Sequence, residues 1–188
     1  VLNSLQAHSA QSDYAYDRLY RNLYNREFFF QAYQNIYANQ GNMTAGTDGK
    51  TIDAMSMERI DRLIETLKDE SYQPKPSRRT YIPKKNGKLR PLGIPSIDDK
   101  LVQEVVRMLL ESIYEGSFAD SSHGFRPNRS CHTALRMIQN RFTRCKWFVE
   151  GDIKGFFDNI DHTVMIDILR KRIKDERFLR LIRKFLNA

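Results

Sequence analysis

The chain has 188 residues, 40% hydrophobic and 29% charged, which excludes a disordered chain and allows one sizeable core or a compact pair of subdomains. No run of about 18 apolar residues occurs, so no membrane-spanning helix is expected, and no charged segment followed by an apolar stretch marks a secretory leader. Thirty-one Lys and Arg against 23 Asp and Glu give a net charge of +8, which points to a polyanionic partner.

In chain order, residues 14–37 read as one long helix, with Leu19, Leu23, Phe30, Tyr33 and Tyr37 at helical spacing. Its many aromatics suit either a base-stacking platform or core packing. Residues 39–50 carry turn chemistry in Gly41, Gly46 and Gly49. Ile60, Leu63, Ile64 and Leu67 mark one face of a second helix.

Residues 79–93 alternate as a hairpin around Asn86-Gly87, which predicts a tight type I′ turn. Between Lys75 and Arg90 lie seven cations, Lys75, Arg78, Arg79, Lys84, Lys85, Lys88 and Arg90, with no acid among them. Like charges so crowded repel one another unless an anion joins them, so nucleic acid is favoured over a merely solvated turn.

An amphipathic helix follows over residues 97–114, its stripe formed by Leu101, Val102, Val105, Val106, Leu109, Leu110 and Ile113. Residues 115–129 form a loop, and a helix over about 130–143 sets Leu135, Ile138 and Phe142 on one face. Residues 146–153 read as a strand. Asp161 is a suitable N-cap for a helix over 162–173. A last helix turns Phe178, Leu179, Ile182, Phe185 and Leu186 inward. A lone strand at 146–153 has few partners in this chain, which suggests that part of its sheet is missing.

At the end of that strand stands Asp152. A strand-end carboxylate can bind a hard cation, with the Ile153 carbonyl as a further ligand, but one Asp never makes a whole site. Taken alone, Asp152 reads better as a turn cap. Cys131 and Cys145 fit reduced thiols in a cytoplasmic protein. With His123 and His132 they match no zinc spacing, and packing is the better reading.

Three strings change the odds for Asp152. "YQPKPSRRTYIPKKNGKLRPLGIP" spans 72–95, "HGFRP" spans 123–127 and "GDIKGFFDNIDH" spans 151–162. Together they resemble the reverse transcriptases encoded by group II introns, the intron maturases. "GTDGKTID" at 46–53 resembles an extra N-terminal motif of that family. The resemblance runs in order from about residue 40 onward.

The resemblance implies an α+β fold: helix-rich right-hand polymerase fingers with a β-hairpin and a partial palm, a truncated reverse transcriptase fold. Residues 1–145 would form the N-terminal extension and fingers, and residues 146–188 the first part of the palm. It implies two Mg²⁺ ions and in-line nucleotidyl transfer. Asp152 would be the first catalytic carboxylate and a metal ligand, with Ile153 lending its carbonyl. Phe157 would screen the ribose 2′ position. Lys84 and Arg90 would hold the triphosphate, and Arg78, Arg79, Lys85, Lys88, Arg126 and Arg129 would meet the RNA template. Arg126 reads equally as a brace for its own loop, and Asp158 as a structural turn residue. The implied partners are group II intron RNA, template RNA, a DNA primer and dNTPs. The implied setting is the bacterial cytoplasm or an organellar matrix, with no membrane.

The family's second acidic motif, Tyr-x-Asp-Asp, has no match here. The Asp-Asp pair at Asp98-Asp99 lies elsewhere and lacks the Tyr. The expectation is a partial polymerase without the rest of the palm, the thumb or the maturase domain, inactive alone, with exposed core that would permit a homodimer. Two other readings stay open: an RNA-binding splicing module without polymerase activity in this chain, and a related bacterial defence or diversity-generating reverse transcriptase.

Overall fold

A computed structural model describes all residues, Val1–Ala188. The helices are α1 (Leu2–Gln6), α2 (Arg26–Tyr37), α3 (Met57–Lys68), α4 (Ile97–Tyr114), α5 (Cys131–Arg141), α6 (His162–Arg172) and α7 (Glu176–Leu186). The sheet is one antiparallel hairpin of β1 (Arg78–Pro83) and β2 (Leu89–Ile94). This is the expected helix-rich α+β arrangement. No helix is long and apolar enough to cross a membrane.

The central element is α4, which packs against α1 and α2. Its predicted stripe is buried at Leu101, Val102, Val105, Val106, Leu109 and Ile113. Ile60, Leu63, Ile64 and Leu67 of α3 are buried as their spacing predicts, and Phe178, Leu179 and Ile182 of α7 join the same cluster. Phe185 and Leu186 pack against it while half-buried. Each of the fully buried side chains contributes about 1.5–3 kcal/mol by leaving water.

Helix starts follow from local capping. Ser96 accepts from the Asp99 backbone N–H at 3.2 Å at the start of α4. Ser130 and Thr133 form a reciprocal capping box at α5. Asp161 caps α6 as predicted, accepting from Thr163 and Val164 N–H at 2.7 and 3.1 Å. Asp175 caps α7 and also accepts from the Tyr20 N–H at 2.8 Å, fastening the N-terminal region to that helix.

Three expectations are corrected. Residues 14–37 are not one helix. Arg18 takes a positive φ of 53°, residues Tyr20–Tyr24 form a 3-10 turn, and Asn25 leaves helical geometry to cap α2 through the Glu27 N–H. Tyr16 instead makes an isolated parallel bridge to Ile173. Tyr16, Tyr20, Phe28 and Phe29 are buried, so these aromatics are core.

The hairpin turn is not type I′. The Lys84 N–H donates to Lys88 O at 2.7 Å and the Gly87 N–H to Lys84 O at 3.0 Å. Lys85, Asn86 and Gly87 thus form a three-residue loop with Gly87 at φ +77° and no positive φ at Asn86. A type I turn closed by a left-handed glycine is the common solution for that loop length.

Residues 146–153 form no strand. The only sheet is the β1–β2 hairpin, and this segment pairs with neither of its outer edges; an unpaired strand is not stable in water. Trp147 is 90% and Val149 is 93% exposed. Helix α5 forms as predicted, but Leu135, Ile138 and Phe142 face solvent.

Candidate nucleotide and nucleic-acid interface

The hairpin register pairs Thr80 with Leu92 and Ile82 with Arg90, and the loop then pairs Lys84 with Lys88. Directly paired residues share a face, as do residues two apart on one strand. Lys84, Lys88 and Arg90 therefore stand on one face with Thr80 and Ile82. Arg79 and Tyr81 stand on the other, and Lys85 lies in the loop. This sorting was not legible from the run of cations alone, because it depends on the register. Lys84 opposite Lys88 is a like-charge pair, destabilising unless an anion joins it. None of Lys84, Lys85, Lys88 or Arg90 forms an ion pair, and all are exposed.

The same face borders an open cavity of about 350 Å³, shared by Thr80, Ile82, Leu92, Gly41, Thr44 and Lys100. Lys100 donates from Nζ to Thr44 O at 2.9 Å, and burial lowers its pKa.

The root of the hairpin is held from two sides. Arg78 donates from Nε and Nη2 to Ala45 O at 3.1 and 2.8 Å, and Thr47 Oγ1 donates to Pro76 O at 3.1 Å. Gly46 is where this loop meets the exit of β2. A Cβ there would stand 2.7 Å from Ser96 Cα, so only glycine permits the approach. Deeper, the Asp99 carboxylate is 2% exposed. It accepts from the Tyr72 hydroxyl, from Ser96 Oγ at 2.6 Å and from the Lys75 N–H at 3.2 Å. Burial, reinforced by Asp99, holds the Tyr72 phenol far above its ordinary pKa. Beside it, Arg59 donates to Asp98 at 2.6 and 2.9 Å and reaches Asp48 at 3.4 Å, its charged form favoured first by the Asp98 hydrogen bond. Sequence reasoning set Asp98 and Asp99 aside because they did not fit an acidic catalytic motif. The signal missed was Ser96 three residues before Asp99, a helix-start pattern.

Asp152 lies in an exposed, irregular stretch and makes no ion pair or side-chain hydrogen bond. The turn after it is formed by Gly155 at φ +62°, with Asn159 Nδ2 donating to Gly155 O at 2.7 Å. Phe156 and Phe157 meet edge to face, their centroids 5.4 Å apart, with Phe157 79% exposed. Asp158 sits in the following 3-10 turn, where Asn159 rather than Asp158 supplies the closing hydrogen bond. No hydrogen bond or ion pair joins this stretch to the hairpin. No three His, Cys, Asp or Glu side chains converge on a point that could hold a metal ion. Asp152 and the Ile153 carbonyl alone do not fit a two-metal centre.

Arg126 is turned inward. Its Nε and Nη2 donate to Glu115 Oε1 at 3.0 and 2.9 Å, its Nη1 donates to Ala119 O and Ser122 O, and its Nη2 also reaches Glu115 O at 3.4 Å. The guanidinium's five donors all have partners within the chain. Of the two readings the sequence left for Arg126, these contacts form the brace. Arg129 reaches Asp120 O and Oδ1 at 3.3 and 3.4 Å, near the loose end of the range, and stays partly exposed.

Residues 82–188 match the family Reverse transcriptase (RNA-dependent DNA polymerase). Over its whole length the chain is 52% identical, across 190 residues, to the group II intron-encoded protein LtrA of Lactococcus lactis subsp. cremoris, of which it covers 32%. It is 49% identical, across 194 residues and again over the whole chain, to a 91 kDa protein in the cob intron of Schizosaccharomyces pombe, covering 24% of it. About half of the chain, 49%, aligns at 40% identity with nuclear intron maturase 1, mitochondrial, of Arabidopsis thaliana, covering 13% of that protein. The chain thus spans about a third or less of the length of these relatives. The three motifs, the hairpin that the first of them builds and these similarities agree: the chain belongs to the reverse transcriptase (RNA-dependent DNA polymerase) family, and its resemblance to the group II intron-encoded members is borne out.

Proposed function

We propose that this chain forms the nucleotide-gripping part of an RNA-directed DNA polymerase encoded by a group II intron, with residues 1–145 as N-terminal extension and fingers and residues 146–188 as the beginning of the palm. The observation that carries the reading is the hairpin face: Lys84, Lys88 and Arg90 side by side, exposed, without a counter-ion, on a hairpin rooted by Arg78 and Asp99. A rigid root lets the cations hold a fixed geometry, and the missing anion is supplied by the substrate. Lys84 offers the triphosphate a compact charge and Arg90 a two-pronged fork. Lys85, Lys88, Arg78, Arg79 and Arg129 are assigned to template phosphates, Lys88 from the same hairpin face as Lys84 and Arg90 and Arg79 from the opposite one. Arg126 acts as the brace of the 115–129 loop.

Asp152 supplies one carboxylate of the reaction centre, beside the Ile153 carbonyl, and Phe157 lies against the sugar of the incoming dNTP. Mg²⁺ chemistry needs acids that this chain does not bring together, so the chain alone is inactive. The partners are template RNA, intron RNA, a DNA primer and dNTPs, in a bacterial cytoplasm or an organellar matrix. Trp147, Phe148 and Val149, all exposed, give two copies a surface through which to pair.

A second reading is RNA binding in intron splicing without synthesis. It is favoured by the maturase relative. Equilibrium binding of RNA across salt and of dNTP, with Lys84→Ala, Arg90→Ala and Asp152→Ala variants, tests both readings. The polymerase reading predicts that Asp152→Ala leaves RNA affinity unchanged, while Lys84→Ala and Arg90→Ala weaken dNTP binding at least severalfold. Unchanged dNTP binding in both hairpin variants would remove the nucleotide-gripping role.

A further inference from the structure

A second cationic site lies away from the hairpin face. A cavity of about 380 Å³, within the range of small-ligand sites, opens between α3 and the chain that leads to β1. Lys50, Arg62 and Lys75 line it, together with Arg59, Asp98 and Asp99.

The two carboxylates are already committed. Asp98 is held by Arg59 at 2.6 Å, and Asp99 accepts from Tyr72, Ser96 and the Lys75 backbone. Arg59 is in turn neutralised by Asp98 and Asp48. What remains is Lys50, Arg62 and Lys75. All three are exposed, and none forms an ion pair. The one hydrogen bond from these side chains is Arg62 Nε to Glu58 O, at 3.3 Å, which leaves both terminal nitrogens of that guanidinium free.

A polar cavity with three unneutralised cations and its acids occupied is electrostatically suited to an anion, and the guanidinium fork suits the oxygens of a phosphate. The three come from separate stretches of chain: the loop before α3, α3 itself and the segment before β1. The fold therefore builds the cluster, and no single run of charge explains it. The buried Tyr72–Asp99 pair forms the rigid floor beneath Lys75.

We propose that Lys50, Arg62 and Lys75 form a phosphate-binding subsite for the backbone of an RNA strand. The proposal rests on the nucleic-acid reading above and adds to it a second contact region. The site grips phosphodiesters, because the charged groups left free in it are all cations.

The test compares three proteins: the unaltered chain, a Lys50→Gln/Arg62→Gln/Lys75→Gln variant and a Lys84→Gln/Lys85→Gln/Lys88→Gln variant. Circular dichroism melting checks that each is folded, and exposed substitutions of this kind each leave stability within about 0.5 kcal/mol. Affinity for a single-stranded RNA oligomer is measured from low to moderate salt. Losing three phosphate contacts should reduce the slope of log K against log salt by about 2, at about 0.7 per contact, and equally for RNAs of unrelated sequence. A cavity variant with unaltered slope and affinity, beside a weakened hairpin variant, overturns this site and leaves the nucleic-acid reading standing. Failure of the unaltered chain to bind RNA in a salt-dependent way overturns both. A parallel titration with inorganic phosphate separates the two sources of the same chemistry. Tight phosphate binding lost in the cavity variant, with RNA binding unaffected, would identify a free-phosphate site and overturn the strand assignment.

Discussion

The Tyr72 hydroxyl donates to the Asp99 carboxylate across 27 positions of sequence, both side chains being buried. The bond joins the segment that enters the hairpin to the first turn of the central helix and is one of the contacts that hold the hairpin root. Asp99 keeps two further donors, Ser96 Oγ and the Lys75 N–H, when Tyr72 is altered. Tyr72→Phe should therefore cost about 1.5–3 kcal/mol, the value of one bond to a charged acceptor. Asp99→Ala should cost more, since the Tyr72 hydroxyl, Ser96 Oγ and the Lys75 N–H all lose their acceptor. Urea denaturation of the two variants measures both.

The Tyr20 phenol donates to Leu67 O at 2.8 Å in the core, and burial, with smaller contributions from Tyr24 and Glu70, pushes its pKa from 10.0 up to about 12. The folded state thus resists ionisation of a group that ionises readily when unfolded. The stability that this provides is whole below pH 10 and is lost as pH rises from 10 toward 12. Unfolding followed from pH 8 to pH 12 should show a fall beginning near the ordinary tyrosine value. Tyr20→Phe should flatten part of that fall, and an unchanged profile would contradict the linkage.

Gly46 approaches the Pro95–Ser96 backbone too closely for any side chain. Gly46→Ala should push the 44–47 loop off the hairpin root and loosen the Arg78 contacts to Ala45. Hydrogen exchange across β1 and β2 should then quicken, while exchange in α4 stays near its original rate.

Arg126 and Arg90 belong to one residue type in opposite situations. The Arg126 side chain is 9% exposed and paired with Glu115, whereas Arg90 is exposed and unpaired. Arg126→Ala should destabilise the fold by on the order of 2 kcal/mol, because Glu115 loses its charged donor. Arg90→Ala should change stability by less than about 0.5 kcal/mol and weaken triphosphate binding instead. Thermal melts and dNTP titrations of the two variants separate brace from ligand.

What the sequence made legible was local. The α3 and α4 stripes, the Asp161 cap and the hairpin follow from spacing and turn residues within a few positions, and all appear. What it did not make legible depended on distant partners. Residues 146–153 have strand composition, but a strand needs a neighbour and this segment pairs with none. Residues 14–37 have helical spacing, but Asn25 gains more as a cap than as a helix interior residue. The cations around the hairpin were visible as a run, yet their division between two faces waited on the Ile82–Arg90 register. Asp98 and Asp99 looked like a misplaced catalytic pair and are the salt-bridge and hydrogen-bond anchors of the hairpin root.

The assignment of Asp152 bears most of the functional account. The most direct measurement is primer extension on an RNA template, with Mg²⁺ and dNTPs, by a chimera in which this chain replaces the matching 190-residue stretch of LtrA. Unaltered LtrA sets the reference rate, and RNA affinity is recorded for each protein. The account predicts extension by the chimera, and its loss by at least a hundredfold in Asp152→Ala (about 2.7 kcal/mol of transition-state stabilisation) with RNA affinity unchanged. Extension by Asp152→Ala at the rate of the parent chimera would contradict the account.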